Sequence, residues 1–532
     1  MIRAAALPPT SDRATAGTRL LLRLALRRDR LFAPLWLAAL LLVCLASAAA
    51  TPGLYPDEAV RVRAAEALNA SPAIVALYGP VLDTSSVGEL AMTKMTVLYA
   101  VFVSVLFIAL IRRHTRVEEE SGRTELVASA GVGRYAPLAA GVLEGCLLAV
   151  ILGVLTATVN TVGGLDPVGS IVFGGVWAGT ALVAVGVGAV TAQLAASART
   201  CAAYAAATVG AFFVLRAIGD TGPGWVSWLS PLGWNTQVSS YSGPRWGLLV
   251  LYPLLTAVLL LAAWTLRTHR DLSAGLIVAR PGPPTGSPRL EGALTVTFRV
   301  HATSLVLWTV ACVVLGALFG MIVPGIGDLL DSTPAQAVID KLGGALVAAI
   351  LSVLAVVVTY FASTVIAHAG SDEQQGRAEM VLSTAVSRPR WFLATMTLAV
   401  AGTAWLLAAT GTAMWVGYAI AGGPGVGNIW VAALGWAPAV WVVVGLSGLC
   451  LAVRPAAAAA AWAWPAGFLV LTLVVDLLDL PGWLGRLSPY SHVPGLPAAR
   501  WDWGSELALA AVAAVLLAAA TAIFTRRDVG SG

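Results

Sequence analysis

The chain has 532 residues, 58% of them hydrophobic and only 11% charged. Its mean hydropathy of +0.84 leaves too little polar surface to cover a soluble globule of this length, so the composition specifies an integral membrane protein. The formal charge of +5 is spread between apolar runs and not gathered on a soluble domain, which excludes nucleic acid as the expected partner.

A basic stretch comes first. Residues 17–31 alternate Leu20, Leu21, Leu24 and Leu26 with Arg19, Arg23, Arg27, Arg28 and Arg30, a pattern that suits a helix lying at a membrane interface or a positively charged flank. About 20 apolar residues span the hydrocarbon of a bilayer. Runs of that kind predict twelve spans, near 32–51, 95–111, 137–160, 169–196, 201–218, 247–266, 302–323, 344–367, 392–420, 429–452, 457–477 and 505–524. With both termini in the cytoplasm, three quarters of the 32 Lys and Arg fall on the cytoplasmic side, as insertion favours. Between the first two spans, residues 52–94 are expected to carry a helix after Asp57. The Trp-rich segments 219–246 and 478–504 suit an aromatic belt at the opposite interface.

The sequence repeats itself. His114–Arg134 returns 254 positions later as His368–Arg388 with nine identities: His114/His368, Glu119/Glu373, Gly122/Gly376, Arg123/Arg377, Glu125/Glu379, Val127/Val381, Ser129/Ser383, Val132/Val386 and Arg134/Arg388. Pro223-Gly224-Trp225 returns as Pro481-Gly482-Trp483, and Arg270-Asp271 as Arg527-Asp528. The organisation expected is therefore a first six-helix repeat over 1–271, a Pro/Gly-rich linker over 272–300 and a second six-helix repeat over 301–532. An even number of spans per repeat makes the two parallel and related by a pseudo-two-fold axis along the membrane normal. The fold class is all-α and polytopic. The repeated element is polar and helical in character, and a glycine kept in both copies is expected to mark close backbone approach to another surface.

Conventional catalytic chemistry is missing. A phosphate-binding loop needs Gly-Lys, and the only lysines, Lys94 and Lys341, follow Thr93 and Asp340. No GxSxG or HExxH motif occurs, the five histidines are dispersed, and the five cysteines sit in apolar runs without metal-ligand spacing, so neither a catalytic nor a metal site is expected. Glu144, inside the third span, is the clearest intramembrane charge and a candidate for the substrate pathway, facing a wet cavity or pairing with an arginine at its rim. Arg216 and Asp220, at i and i+4, are expected to pair or snorkel. Trp405 and Trp436 could line a cavity for a bulky hydrophobic substrate, with packing as the plainer role.

The element Glu118–Val127 and its copy Asp372–Val381 resemble the loop after the second span in the membrane subunit of type-2 ABC exporters. The duplication, with Arg270–Leu276 and the Pro-rich linker, resembles the two-in-one polyketide-antibiotic and multidrug exporter permeases of bacterial plasma membranes. That resemblance implies a coupling helix in each repeat, with Glu119, Gly122, Arg123, Glu125, Glu373, Gly376, Arg377 and Glu379 meeting two copies of a separate ATP-binding subunit. ATP and magnesium would be held by that subunit, with no cofactor in this chain, and the cargo would be a small hydrophobic compound moved out of the cell by the permease, itself embedded in the lipid bilayer. This chain departs from the resemblance at Gly131 and Ala385, where a proline is common. A proton-coupled secondary transporter and a non-transporting scaffold for an ATPase are the alternatives.

Overall fold

A computed structural model describes residues 14–70, 72–129, 131–270, 274–277, 290–328, 336–422, 429–468, 471, 481–497 and 501–527. It divides into two compact units, Met1–Gly282 and Pro283–Gly532. Every regular element among the described residues is helical.

Among the described residues, eleven helices are long and apolar enough to cross a membrane. In the first unit these are Phe32–Leu54, Leu98–Glu120, Ala136–Val162, Pro167–Leu194, Ala198–Thr221 and Trp246–Thr268. The second unit supplies Ala293–Val323, Val347–Gln374, Arg388–Ile420, Ile429–Val453 and Trp503–Arg526. The twelfth expected span, 457–477, is not found whole. Its start, Pro455–Trp462, is a 3-10 helix, residues 463–468 are helical, and most of the remainder lies outside the described residues. Residues 278–289 of the expected linker, with Asp271 and Asp528, lie outside them too, while 293–300 belong to the helix Ala293–Asp328.

The centre of the first unit is Pro167–Leu194, whose most apolar window is 78% buried. Its glycines explain how neighbours come so close. A Cβ at Gly174 would sit 2.3 Å from the Gly153 carbonyl oxygen, and one at Gly179 would lie 2.4 Å from the Tyr252 ring; small residues let helix backbones touch where hydrocarbon supplies no hydrophobic drive. Beside it the chain breaks at Val97, between Val87–Thr96 and Leu98–His114. The break exposes carbonyls that low-dielectric surroundings would penalise. Side chains satisfy them: buried Trp177 donates Nε1–H to the Met95 carbonyl at 3.0 Å, and Asn235 donates to that of Thr96 at 2.8 Å.

Arg216 behaves otherwise than a snorkelling residue. It is fully buried, pairs with Asp220 at 3.1 Å, and donates to the carbonyls of Val75, Ala76 and Leu77. A cation there complements the C-terminal end of the short helix Pro72–Tyr78. The expected helix after Asp57 is Glu58–Ala70, and the basic N-terminal stretch is the helix Thr18–Arg28.

In the second unit Ala293–Asp328 crosses Arg388–Ile420 through Gly316-Ala317-Leu318-Phe319-Gly320. A Cβ at Gly320 would lie 2.1 Å from the Met414 carbonyl oxygen, and one at Gly417 2.3 Å from that of Ala317. Spaced four apart, Gly316 and Gly320 make one face of the helix flat enough for direct backbone contact.

Candidate functional site

The repeated element folds into the same elbow twice. In the first unit Arg116–Glu120 is followed by Ser121, Gly122 and the helix Arg123–Ala128; in the second, the long helix Gln336–Gln374 gives way through Gly376 to Arg377–Leu382. Gly122 has φ +73° and Gly376 φ +71°, the left-handed region that glycine enters without the steric cost other residues meet. A Cβ at either position would meet nothing within 4 Å. The left-handed backbone angle alone is enough to call for glycine at both positions.

Glu119 and Glu373 point inward. Both are buried, at 7% and 6% exposure, and turn into their own unit. Glu119 accepts four charge-assisted hydrogen bonds: from Arg116 at 2.7 Å, from Arg267 at 2.8 Å, and from Arg270 at 2.8 and 2.6 Å. Glu373 accepts from Arg527. Arg270 and Arg527 are the matched arginines that follow the last helix of each unit. The remaining duplicated arginine closes the arrangement, since Arg134 donates to the carbonyl oxygens of Arg267 and Arg270, and Arg388 to that of Arg527 at 3.0 Å. Each unit therefore clasps its elbow to the end of its last helix. The two clasps differ because Gly370 stands where Arg116 does and Phe524 where Arg267 does; Arg527 instead lies over the Phe524 ring, 5.3 Å from its centroid.

The polar groups left facing outward also recur. Arg123 pairs with Glu118 at 3.4 Å, and Arg377 with Asp372 at 2.7 Å. Arg123, Glu125, Arg377 and Glu379 are exposed, as are the apolar side chains Leu126 and Met380 at 74% and 73%. In the first unit Arg28 of the N-terminal helix also reaches Glu118. Two short, rigidly based helix tips, each with a basic and an acidic residue beside an apolar one, are suited to dock into a groove on a protein surface.

Of the candidate pathway residues, Glu144 is fully buried. His114 Nε2 lies 3.2 Å from its Oε2, so its ion-pair partner among the described residues is a histidine. Trp436 is buried in the core of the second unit at 5% exposure. Trp405 is 58% exposed, donates Nε1–H to the Thr309 hydroxyl at 3.0 Å, and borders an apolar groove of about 960 Å³ with Phe298, Val306 and Leu398. Arg116, Arg267 and Asp29 escaped notice in the sequence because none of them has a counterpart in the other repeat.

An all-helical chain with eleven helices among its described residues long and apolar enough to cross a membrane is a multi-pass membrane protein. The family model for "Multidrug efflux system permease Rv1217c, C-terminal domain" matches residues 20–267 and 290–525. The multidrug efflux system permease protein Rv1217c of Mycobacterium tuberculosis is similar to this chain, 39% identical over 530 residues that cover 96% of this chain and 95% of the relative. The chain belongs to this family of multidrug efflux permeases, and its place is that of a transport subunit and not of an enzyme.

Proposed function

We propose that the chain is the permease subunit of an ATP-driven exporter of hydrophobic, drug-like compounds, and that each elbow is a coupling helix docking one copy of a separate ATP-binding subunit. The observation that carries the proposal is the duplicated clasp: Glu119 with Arg270 and Arg134, and Glu373 with Arg527 and Arg388, anchor two like tips to the last helix of their units. Movement forced on a tip is thereby passed to a membrane-crossing helix without first bending a loose loop. The match of a single family model to both 20–267 and 290–525 supports two copies of one unit, and so two docking places. Both tips then face the cytoplasm, with the termini on the same side, in agreement with the distribution of Lys and Arg.

In this reading Arg123, Glu125, Arg377 and Glu379 meet the partner, while Glu119 and Glu373 act as positioning residues behind them. ATP and magnesium belong to the partner. The test is co-purification of the permease with its ATP-binding subunit: about two ATPase copies per permease are expected from two tips, and Arg123→Glu with Arg377→Glu is expected to strip them. Undiminished capture by that double variant overturns the docking assignment.

A further inference from the structure

The first unit gathers three side chains that its sequence keeps 85 and 30 positions apart. Asp29, at the end of the N-terminal helix, His114, at the end of Leu98–His114, and Glu144, in Ala136–Val162, point ligand-type atoms at one another, all within 4.8 Å. His114 Nε2 lies 2.6 Å from Asp29 Oδ2 and 3.2 Å from Glu144 Oε2. The side chains are 8%, 1% and 0% exposed in the order His114, Asp29, Glu144. Neither carboxylate oxygen of Glu144 accepts a hydrogen bond, although the group is aimed directly at the histidine. Burying an ionised carboxylate with its acceptors unused is costly.

We propose that Asp29, His114 and Glu144 form a binding site for a first-row divalent metal ion, zinc or manganese in kind. One imidazole and two carboxylates are a donor set such ions take. Bonds of about 2.1 Å in tetrahedral geometry place donor atoms about 3.4 Å apart, so a separation of 2.6 Å opening by less than an ångström admits the ion. The charges balance where solvent is excluded, because two carboxylates offset a divalent ion. Arg113, about a third exposed, holds the other oxygen of Asp29 at 3.0 Å, fixing the ligand from behind as outer partners of metal sites do. A cavity of about 80 Å³ lined by Leu24, Arg28, His114, Glu118 and Gly141 gives a path to the histidine. The second unit has no equivalent, since Leu398 stands where Glu144 does. There His301 lies beside His368, with ring centroids 5.1 Å apart.

A bound ion would staple the N-terminal helix and the third span to the residue from which the first elbow springs. The site stands on this geometry alone and does not depend on the docking assignment.

The full chain, purified in detergent on a tag without histidine, is stripped with EDTA and titrated with zinc and with manganese, followed by elemental analysis and thermal unfolding. About one ion per chain and a raised unfolding midpoint are expected, with binding at least tenfold weaker in Glu144→Gln and in Asp29→Asn, while Glu66→Gln, at an exposed position away from the cluster, keeps it. The zinc-edge absorption spectrum of the wild-type complex should show nitrogen and oxygen ligands with a single imidazole. No ion retained and no midpoint shift overturns the site and leaves a proton bridging the cluster. Undiminished binding in both isosteric variants, or a spectrum with sulfur or several imidazoles, overturns it equally.

Discussion

Replacing Glu119 by Gln removes one negative charge from among three buried guanidiniums. Arg116, Arg267 and Arg270 have side chains only 1%, 4% and 2% exposed, so water cannot replace the lost partner. Removing one member of a buried ion pair costs about 3–5 kcal/mol. The lower end applies here, because neutral acceptors remain: Arg116 and Arg270 both reach the Ala274 carbonyl, at 2.8 and 2.6 Å. A loss of about 3 kcal/mol corresponds to an unfolding equilibrium constant raised roughly 150-fold. Glu373→Gln breaks a single pair whose arginine is 17% exposed, and should cost about half as much. Denaturant unfolding of the purified chain in mixed micelles measures both against Glu125→Gln, an exposed control expected to stay within about 0.5 kcal/mol of wild type. Glu119→Gln matching that control would refute the clasp.

Gly122→Ala and Gly376→Ala should each cost about 1–2 kcal/mol through backbone strain alone, since no neighbour opposes the added methyl; Gly122→Asn, which tolerates the left-handed region better, should recover part of it in the same unfolding assay. Gly174→Ala should be far worse, and Gly210→Ala neutral or slightly stabilising, because a Cβ meets the Gly153 carbonyl at 2.3 Å in the first case and open space in the second; expression level and midpoint would show this. Burial raises the carboxyl pKa of Glu89 above its ordinary value, against the opposing hydrogen bond from Ser242. The folded state then holds that proton more tightly than the unfolded one, so stability should rise as pH falls from the raised value to the ordinary carboxylate range, and Glu89→Gln should flatten that slope. Arg388→Gln should loosen the second elbow, losing its hydrogen bond to Arg527, and be read as faster backbone exchange across Arg377–Leu382.

The apolar runs announced themselves because a bilayer imposes both a length and a composition on any helix that crosses it. At 457–477, most of whose second half lies outside the described residues, the alanine-rich run is entered through the 3-10 helix Pro455–Trp462, which hydropathy does not distinguish from an α-helix. The repeated charges were visible as a pattern, yet their roles were not, because polarity tells little about direction. Glu119 and Arg123 look equally available in the sequence, while folding buries one and exposes the other. The pairing of Glu119 with Arg270 could have been read from the joint recurrence of Glu373 and Arg527. Nothing in the sequence could have joined Asp29 to Glu144, since no repeat marks either residue and only the packing of three helices unites them.

The most direct test of the proposed mechanism is transport in vesicles holding the permease with its ATP-binding subunit, loaded with a fluorescent hydrophobic dye. Movement of the dye that requires ATP, and that falls to the level of empty vesicles in Arg123→Glu with Arg377→Glu, is the result the account predicts. Dye movement driven by a proton gradient without ATP, or unchanged by altering both tips, would contradict it.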